Sequence, residues 1–308
     1  MKTTILLIKR NIKLFFADKG LFFTSLITPG ILLLLYVTFL QKVYKDSFSS
    51  IIVEGFQSSI SEEIMNGFVG GQLISSLLAV TCVTVSFCSN MLMVQDKITG
   101  MTSDMLVTPV KKHIPPISYY IATVVVTFFI SLIAVCGGLI YVGIIGWYLS
   151  IADILLILLD VFLLVMFGTA LSSVINYFLS SQGQISAVGS IVSSCYGFIC
   201  GAYMPISQFP QWLQKVIAFL PGTYGTSLLR NHTMRGSLAA MEAEGLSPEA
   251  IAALKDAVDC NIYFFDNKVE IWQSYMFLSI TVAILIGIYV SLNFAKKKKT
   301  NKSTQNQK

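Results

Sequence analysis

The chain has 308 residues, 55% of them hydrophobic and only 12% charged, with a mean hydropathy of +0.73. That composition excludes a soluble globular domain and belongs to a polytopic membrane protein. The net charge of +5 does not mark a nucleic-acid partner, because in a chain surrounded by lipid bilayer the placement of charges matters more than their sum.

Residues 1–20 carry Lys2, Lys9, Arg10, Lys13 and Lys19 beside Ile5, Ile8, Ile12, Phe15 and Phe16, which recur at helical spacing. This predicts a helix lying on the inner leaflet, with a plain extension of the first span as the alternative. Six apolar stretches follow, at about Leu21–Leu40, Gly67–Val94, Ile117–Trp147, Ile154–Phe178, Ile185–Tyr203 and Trp272–Phe294, each long enough to span at the ~1.5 Å rise of a helical residue. The first run is longer than a signal peptide's apolar region and no small-x-small cleavage pattern follows Leu40, so it reads as a retained span. An even number of spans puts both termini on one side. That side, including the loop around Lys111, holds 14 basic and 3 acidic residues and the other 7 and 12, which makes the termini cytoplasmic by the positive-inside rule. Residues 295–308 form a basic cytoplasmic tail.

The loop at 95–116 reads QDKITGMTSDMLVTPVKKHIPP, a short helix-competent run started by Gly100 and stopped by Pro109. Such a helix held proud of the membrane is either an ordinary connector or a handle for a soluble partner. Within the spans only Asp160 is clearly ionisable, seven residues from Asp153 on one helical face. It is a candidate for contact with substrate or ion, or for a structural hydrogen bond. Phe87 and Phe198 are candidates to line an apolar path, although aromatic residues in spans also simply pack. Gly189, Ser193 and Gly197 lie four apart and form a small-residue stripe for close helix approach, either to a second copy or to Gly71, Ser75 and Ala79 of span two.

Residues 204–235 are apolar yet broken by Pro205, Pro210 and Pro221. They are expected to enter the membrane without crossing it, as a re-entrant helical pair, since non-helical backbone survives there only under protein cover or beside water. Residues 236–270 form an insertion on the outer side, with Ser247-Pro248-Glu249 starting a helix. Of six cysteines, Cys260 alone lies outside the spans and has only Cys200 near enough to pair with. Metal-ligand spacing, a phosphate-cradling G-x-x-x-x-G-K-[ST], H-E-x-x-H and G-x-S-x-G are all missing from the sequence. No metal site, bound cofactor or catalytic residue is therefore expected.

The sequence Asp96-Lys97-Ile98-Thr99-Gly100 followed by Leu106-Val107-Thr108-Pro109-Val110 resembles the coupling helix of ABC-2 type transporter permeases, with Met101-Thr102-Ser103-Asp104 where family members usually carry Gly-Thr-Leu-Glu. Gly201, Pro205, Pro210, Trp212-Leu213, Pro221, Thr223-Tyr224 and Arg230 are similar to the family's run after the fifth span. The resemblance covers nearly the whole chain except 236–270.

It implies an all-α fold of six transmembrane helices with an N-terminal interfacial helix and a re-entrant helical pair, forming one ABC-2 type transmembrane domain over 1–308. It further implies the permease subunit of a bacterial ABC exporter in the cell (inner or plasma) membrane. A separate ATPase subunit would bind ATP and Mg and engage Asp96, Lys97, Ile98, Thr99, Gly100, Met101, Asp104 and Leu106. The permease would work as a homodimer or as a heterodimer with a related permease, with the fifth span near the subunit interface. An amphipathic or hydrophobic substrate (drug-like, lipid or glycolipid) is expected. The alternatives are an ion-coupled secondary transporter or channel, and a polytopic intramembrane enzyme or scaffold.

Overall fold

A computed structural model describes residues 2–51, 60–108, 110–264 and 267–305. The chain runs through α1 (Lys2–Ala17), α2 (Lys19–Leu35), a π-helical turn (Tyr36–Leu40), α3 (Gln41–Ile51), α4 (Glu62–Ile98), α5 (Met101–Val107), α6 (Ile114–Ile145), α7 (Ile151–Phe178) and α8 (Gln182–Ile199). It continues through a short 3-10 turn (Ile206–Gln208), α9 (Gln211–Ile217), α10 (Pro221–Ala243), α11 (Pro248–Ala257), the strands β1 (Ile262–Phe264) and β2 (Asn267–Val269), and α12 (Ile271–Gln305). The antiparallel β1–β2 pair, with Tyr263 opposite Lys268, is the one departure from helix among the described elements and lies inside the 236–270 insertion. Pro109 falls outside the described residues.

Five helices are long and apolar enough to cross a membrane: Lys19–Asp46, Glu62–Ile98, Ile114–Ile145, Ile151–Phe178 and Ile271–Phe294. Helix α8 stands where the fifth expected span lies but is not among the five. It has 18 residues, from Gln182 to Ile199, and carries Gln182, Gln184 and four serines.

Local chemistry sets the boundaries. The Ser61 hydroxyl accepts from the Ile64 amide to cap α4, and Ser181 does the same for α8 from Gln184. At the start of α7 the Ser150 hydroxyl accepts from the Asp153 amide, and the Asp153 carboxylate accepts from the Ser150 amide and hydroxyl, a complete capping box. Helix α10 begins with Pro221, whose missing N–H costs nothing in a first turn. Ser247 caps α11, which starts on Pro248.

The core is organised around α4. Every residue of its most apolar 18-residue window is buried, and it packs against α2, α6, α7, α8 and α10. Helix α1 lies against α6 with Asn11 and Phe15 buried, leaving Ile5, Leu6 and Phe16 exposed. Helix α10 starts deep: a side chain at Gly225 would meet Leu164, about 20 Å along α7 from its start at 1.5 Å per residue. Its far part reaches the α6–α7 loop, where a Cβ at Gly236 would collide with the Tyr148 carbonyl oxygen.

That contact admits no side chain. Gly236→Ala is expected to destabilise the protein by about 1–3 kcal/mol through overpacking. Gly137→Ala, inside α6 where nothing lies within 4 Å, should not lower the thermal unfolding midpoint in nanodiscs and is expected to raise it slightly.

Candidate functional site

A groove of about 1160 Å³ opens along one side of the bundle. One wall is α2–α3, presenting Ile27, Ile31, Leu35, Phe39 and Val43. The other is α8, presenting Ser186, Gly189, Ser190, Ser193, Ser194 and Phe198. Met91 and Gln95 of α4 lie at the end near α5, and Tyr203, Met204, Pro205, Ser207 and Gln208 close the opposite end. The walls differ in kind. The α8 face carries hydroxyls at Ser186, Ser190 and Ser194 that are exposed in the single chain, and hydrocarbon solvates such groups poorly.

Of the small-residue stripe, Gly189 and Ser193 line this groove. Gly197 does not, because the Tyr203 ring occupies the space at its Cβ position, so its smallness serves the turn after α8. Phe198 lines the groove, whereas Phe87 is buried in the main core cluster.

The α4–α5 corner divides its residues into two sets. Asp96 is buried and faces the bundle: Arg10 donates to it at 2.7 and 3.2 Å, and the Tyr119 hydroxyl donates to the same carboxylate. The hydrogen bond to Asp96 raises the Arg10 pKa above its ordinary value, ahead of the opposing effect of burial. Lys97 also turns inward, its Nζ donating to the carbonyls of Asn176, Tyr177 and Leu179 at 2.9, 2.8 and 3.3 Å. Those carbonyls lie at the C-terminus of α7, where a cation is favoured.

Ile98, Thr99, Met101 and Asp104 are exposed, as is Val107 at 85%. Gly100 takes φ +82 between α4 and α5, a left-handed conformation that L side chains resist. Leu106 lies in α5, its side chain outside the described residues.

At the end opposite α5, three acid–base pairs tie α10 to its surroundings. Asp160, with no exposure, meets His232 Nδ1 at 2.6 Å and accepts from the Tyr275 hydroxyl at 2.5 Å. Asp153 pairs with Arg235 at 2.6 Å. Arg230, 1% exposed, donates to Asp259 at 2.9 Å and to the Gly201 carbonyl at 2.5 Å. Burial pushes the Asp259 carboxyl up from its ordinary value, and Arg230 pulls against it.

Pro205 sits in the groove-closing loop, Pro210 precedes α9, Trp212 is exposed on α9, and Pro221 opens α10. Tyr224 is buried, its hydroxyl donating to the Ala218 carbonyl at 2.7 Å. Cys200 and Cys260 are both buried free thiols. Among the described residues no group of three or more His, Cys, Asp and Glu side chains gathers to hold a metal.

His232, Tyr275 and Asp259 were not legible as site residues. They lie 72, 115 and 29 residues from the groups they meet, and no local spacing announces them.

A bundle with five helices long and apolar enough to cross a membrane defines a multi-pass membrane protein. The family model of the ABC-2 type transporter matches residues 3–233, and the chain belongs to that family as the membrane component of an ABC transporter. No curated protein matches the chain.

The carboxylate of Asp160 holds two partners from two other helices. Asp160→Ala leaves a buried imidazole and phenol unpaired and is expected to destabilise the protein by about 3–5 kcal/mol, lowering the unfolding midpoint in nanodiscs. Asp160→Asn, which keeps an acceptor, should lose less.

Proposed function

We propose that this chain is the permease subunit of an ATP-driven exporter that carries an amphipathic or hydrophobic substrate along the α2–α3/α8 groove. In this reading α8 is the fifth of six spans, and both termini and α5 are cytoplasmic. Helix α9 and the deep start of α10 form the re-entrant pair. ATP and Mg are bound by a separate ATPase, which engages the exposed face of α5. Two copies, or this chain and a related permease, bring their grooves together.

The observation that carries the reading is the serine-bearing face of α8. Three exposed hydroxyls along a membrane helix need water, substrate or another helix opposite them, and small residues suit close helix approach. The facing wall of Ile27, Ile31, Leu35, Phe39 and Val43 offers the apolar half that an amphipathic substrate needs. Lys and Arg placement supports the orientation, with 14 of 21 on the side of the termini and α5. Motion enters at α5 because a partner shifts an equilibrium only by binding one state better, and packed helices then move as rigid bodies.

An ion-coupled transporter is the second reading, and Asp160 with His232 and Tyr275 favours it, since membrane-embedded ionisable residues with partners are typical of ion pathways. The two readings part on ATP.

The test is purification of the tagged chain from its native membranes, with ATP hydrolysis and mass spectrometry as readouts. An ATPase bearing a Walker motif should co-purify. Val107→Asp together with Met101→Asp should lower its recovery by about tenfold or more, as expected for loss of interface anchors. Recovery unchanged by these substitutions, or transport by the chain alone in an ion gradient, would contradict the proposal. Ser193→Leu should weaken inter-copy cross-linking while leaving the monomer folded. Cross-linking at the wild-type level would remove α8 from the interface.

A further inference from the structure

The insertion at 236–270 has no part in the reading above, yet its last helical turn holds the end of the groove. Helix α11 and its flanks share one buried cluster with α3 and the start of α4: Leu254 and Val258 pack with Tyr44, Phe48 and Phe68. The cap is thus fused to one groove wall, and Ala257 itself lines the groove.

From this anchored base Asp259 reaches across to the opposite side. Its carboxylate accepts from the amides of Ile206 and Ser207 at 2.7 and 3.3 Å and from Arg230 at 2.9 Å. Those two amides belong to the strap of residues 203–208 that closes the groove. Asp259 adopts φ 52 and is the described non-glycine residue with positive φ, a conformation Asp tolerates better than most residues. Arg230 completes the junction by donating to Gly201 at 2.5 Å, where the strap leaves α8. One buried carboxylate therefore joins three separately folded pieces: the cap, the strap and α10.

Beyond Asp259, the strap is held at its start by α8, where the Tyr203 amide donates to the Gly197 carbonyl at 3.1 Å and the Tyr203 ring packs on Gly197. Its own backbone bonds are local, Gln208 to the Pro205 carbonyl at 3.1 Å and Phe209 to the Ile206 carbonyl at 3.0 Å. The Gln214 side chain donates to Ser207 and Phe209 carbonyls at 3.1 and 2.7 Å, which ties the strap to α9 and not to the α3 wall. The bonds that fix it to the cap converge on Asp259.

We propose that Asp259 is the latch of an outer gate: it holds the strap of residues 203–208 across the end of the groove opposite α5, and breaking its bonds to Ile206 and Ser207 opens the groove on that side. The proposal rests on the reading of the groove as the transport path. Arg230 remains bonded to Gly201 when the latch opens, so its charge keeps a partner. The acidic insertion is then a positioning device whose tip sets whether the path is open, and Asp259 is a positioning residue that touches strap and arginine.

The obvious variant, Asp259→Ala, strands Arg230 and can damage the fold. Ile206→Pro is the cleaner test. It deletes the shortest amide bond to Asp259, leaves the ion pair intact, and places Pro in the first position of a helical turn. Pro205 before it already has ψ 140, which a following proline accepts.

The readout is labelling of Ser190→Cys, deep in the groove, by a membrane-impermeant maleimide added from outside to cells expressing the full chain, with exposed Cys136 and Cys195 replaced by serine. Tyr263→Cys on the cap serves as the folding and topology control. Ile206→Pro should raise the labelling rate of Cys at 190 by about tenfold, as expected for a locally opened segment, while labelling at 263 stays constant; Asp259→Ala, where it folds, should do the same. An unchanged rate at 190 in Ile206→Pro, with normal labelling at 263, would overturn the latch and make Asp259 a static brace. No ATPase is needed, so this outcome is independent of whether one co-purifies.

Discussion

The structure depends on the encasement of α4. A 37-residue helix whose apolar window is wholly buried keeps its polar side chains from lipid, and many of them pair within protein. Some turn back on their own helix: Thr81, Thr84 and Ser86 donate to the carbonyls of Leu77, Val80 and Cys82. Others reach α7. Ser86 lies 3.3 Å from the Thr169 hydroxyl, Asn90 donates to Ser172 and Ser173 at 3.0 and 2.9 Å, and Lys97 closes the seam on the last carbonyls of α7. These contacts tie α4 to α7 along much of their shared length.

Further ties hold the bundle at its two ends. At the α5 end, Arg10, Asp96 and Tyr119 join α1, α4 and α6, and the Tyr177 hydroxyl joins α7 to α12 through the Leu292 carbonyl at 3.0 Å. The groove walls pack on this block through α4, which meets both α2 and α8. Helix α2 contains Pro29 and runs into a π-helical turn at Tyr36–Leu40, two interruptions of the kind that bend helices. Helix α8 joins the block through its packing on α4 and through the α7–α8 corner that Lys97 grips.

Much of the bundle was legible because a membrane imposes a long apolar run for each crossing, and five of the six expected runs are long apolar helices. Helix α8 is fainter for the reason that makes it interesting: its glutamines and serines serve a groove and lower its hydropathy. Burial direction was less legible than position. Asp96 and Lys97 stand in the expected corner but point into the bundle, and only their pairing with Arg10 and with the carbonyls of α7 reveals it. The stripe of Gly189, Ser193 and Gly197 divides because Tyr203 folds back onto Gly197, a contact made by the turn after the helix and not by the helical period. Asp160, alone in the sequence, gains His232 and Tyr275 from distant helices. The β1–β2 hairpin hid inside a segment read as helical from its strong Ser247-Pro248 start.

The central claim is that two grooves face one another and are moved by nucleotide bound elsewhere. The direct measurement is the distance between nitroxide labels at Ser186, a groove residue on α8, in nanodiscs holding this chain with its ATPase. The account predicts one defined distance between copies that shifts when ATP is added. A sample with no inter-copy distance, or one whose distribution ignores ATP, would contradict it.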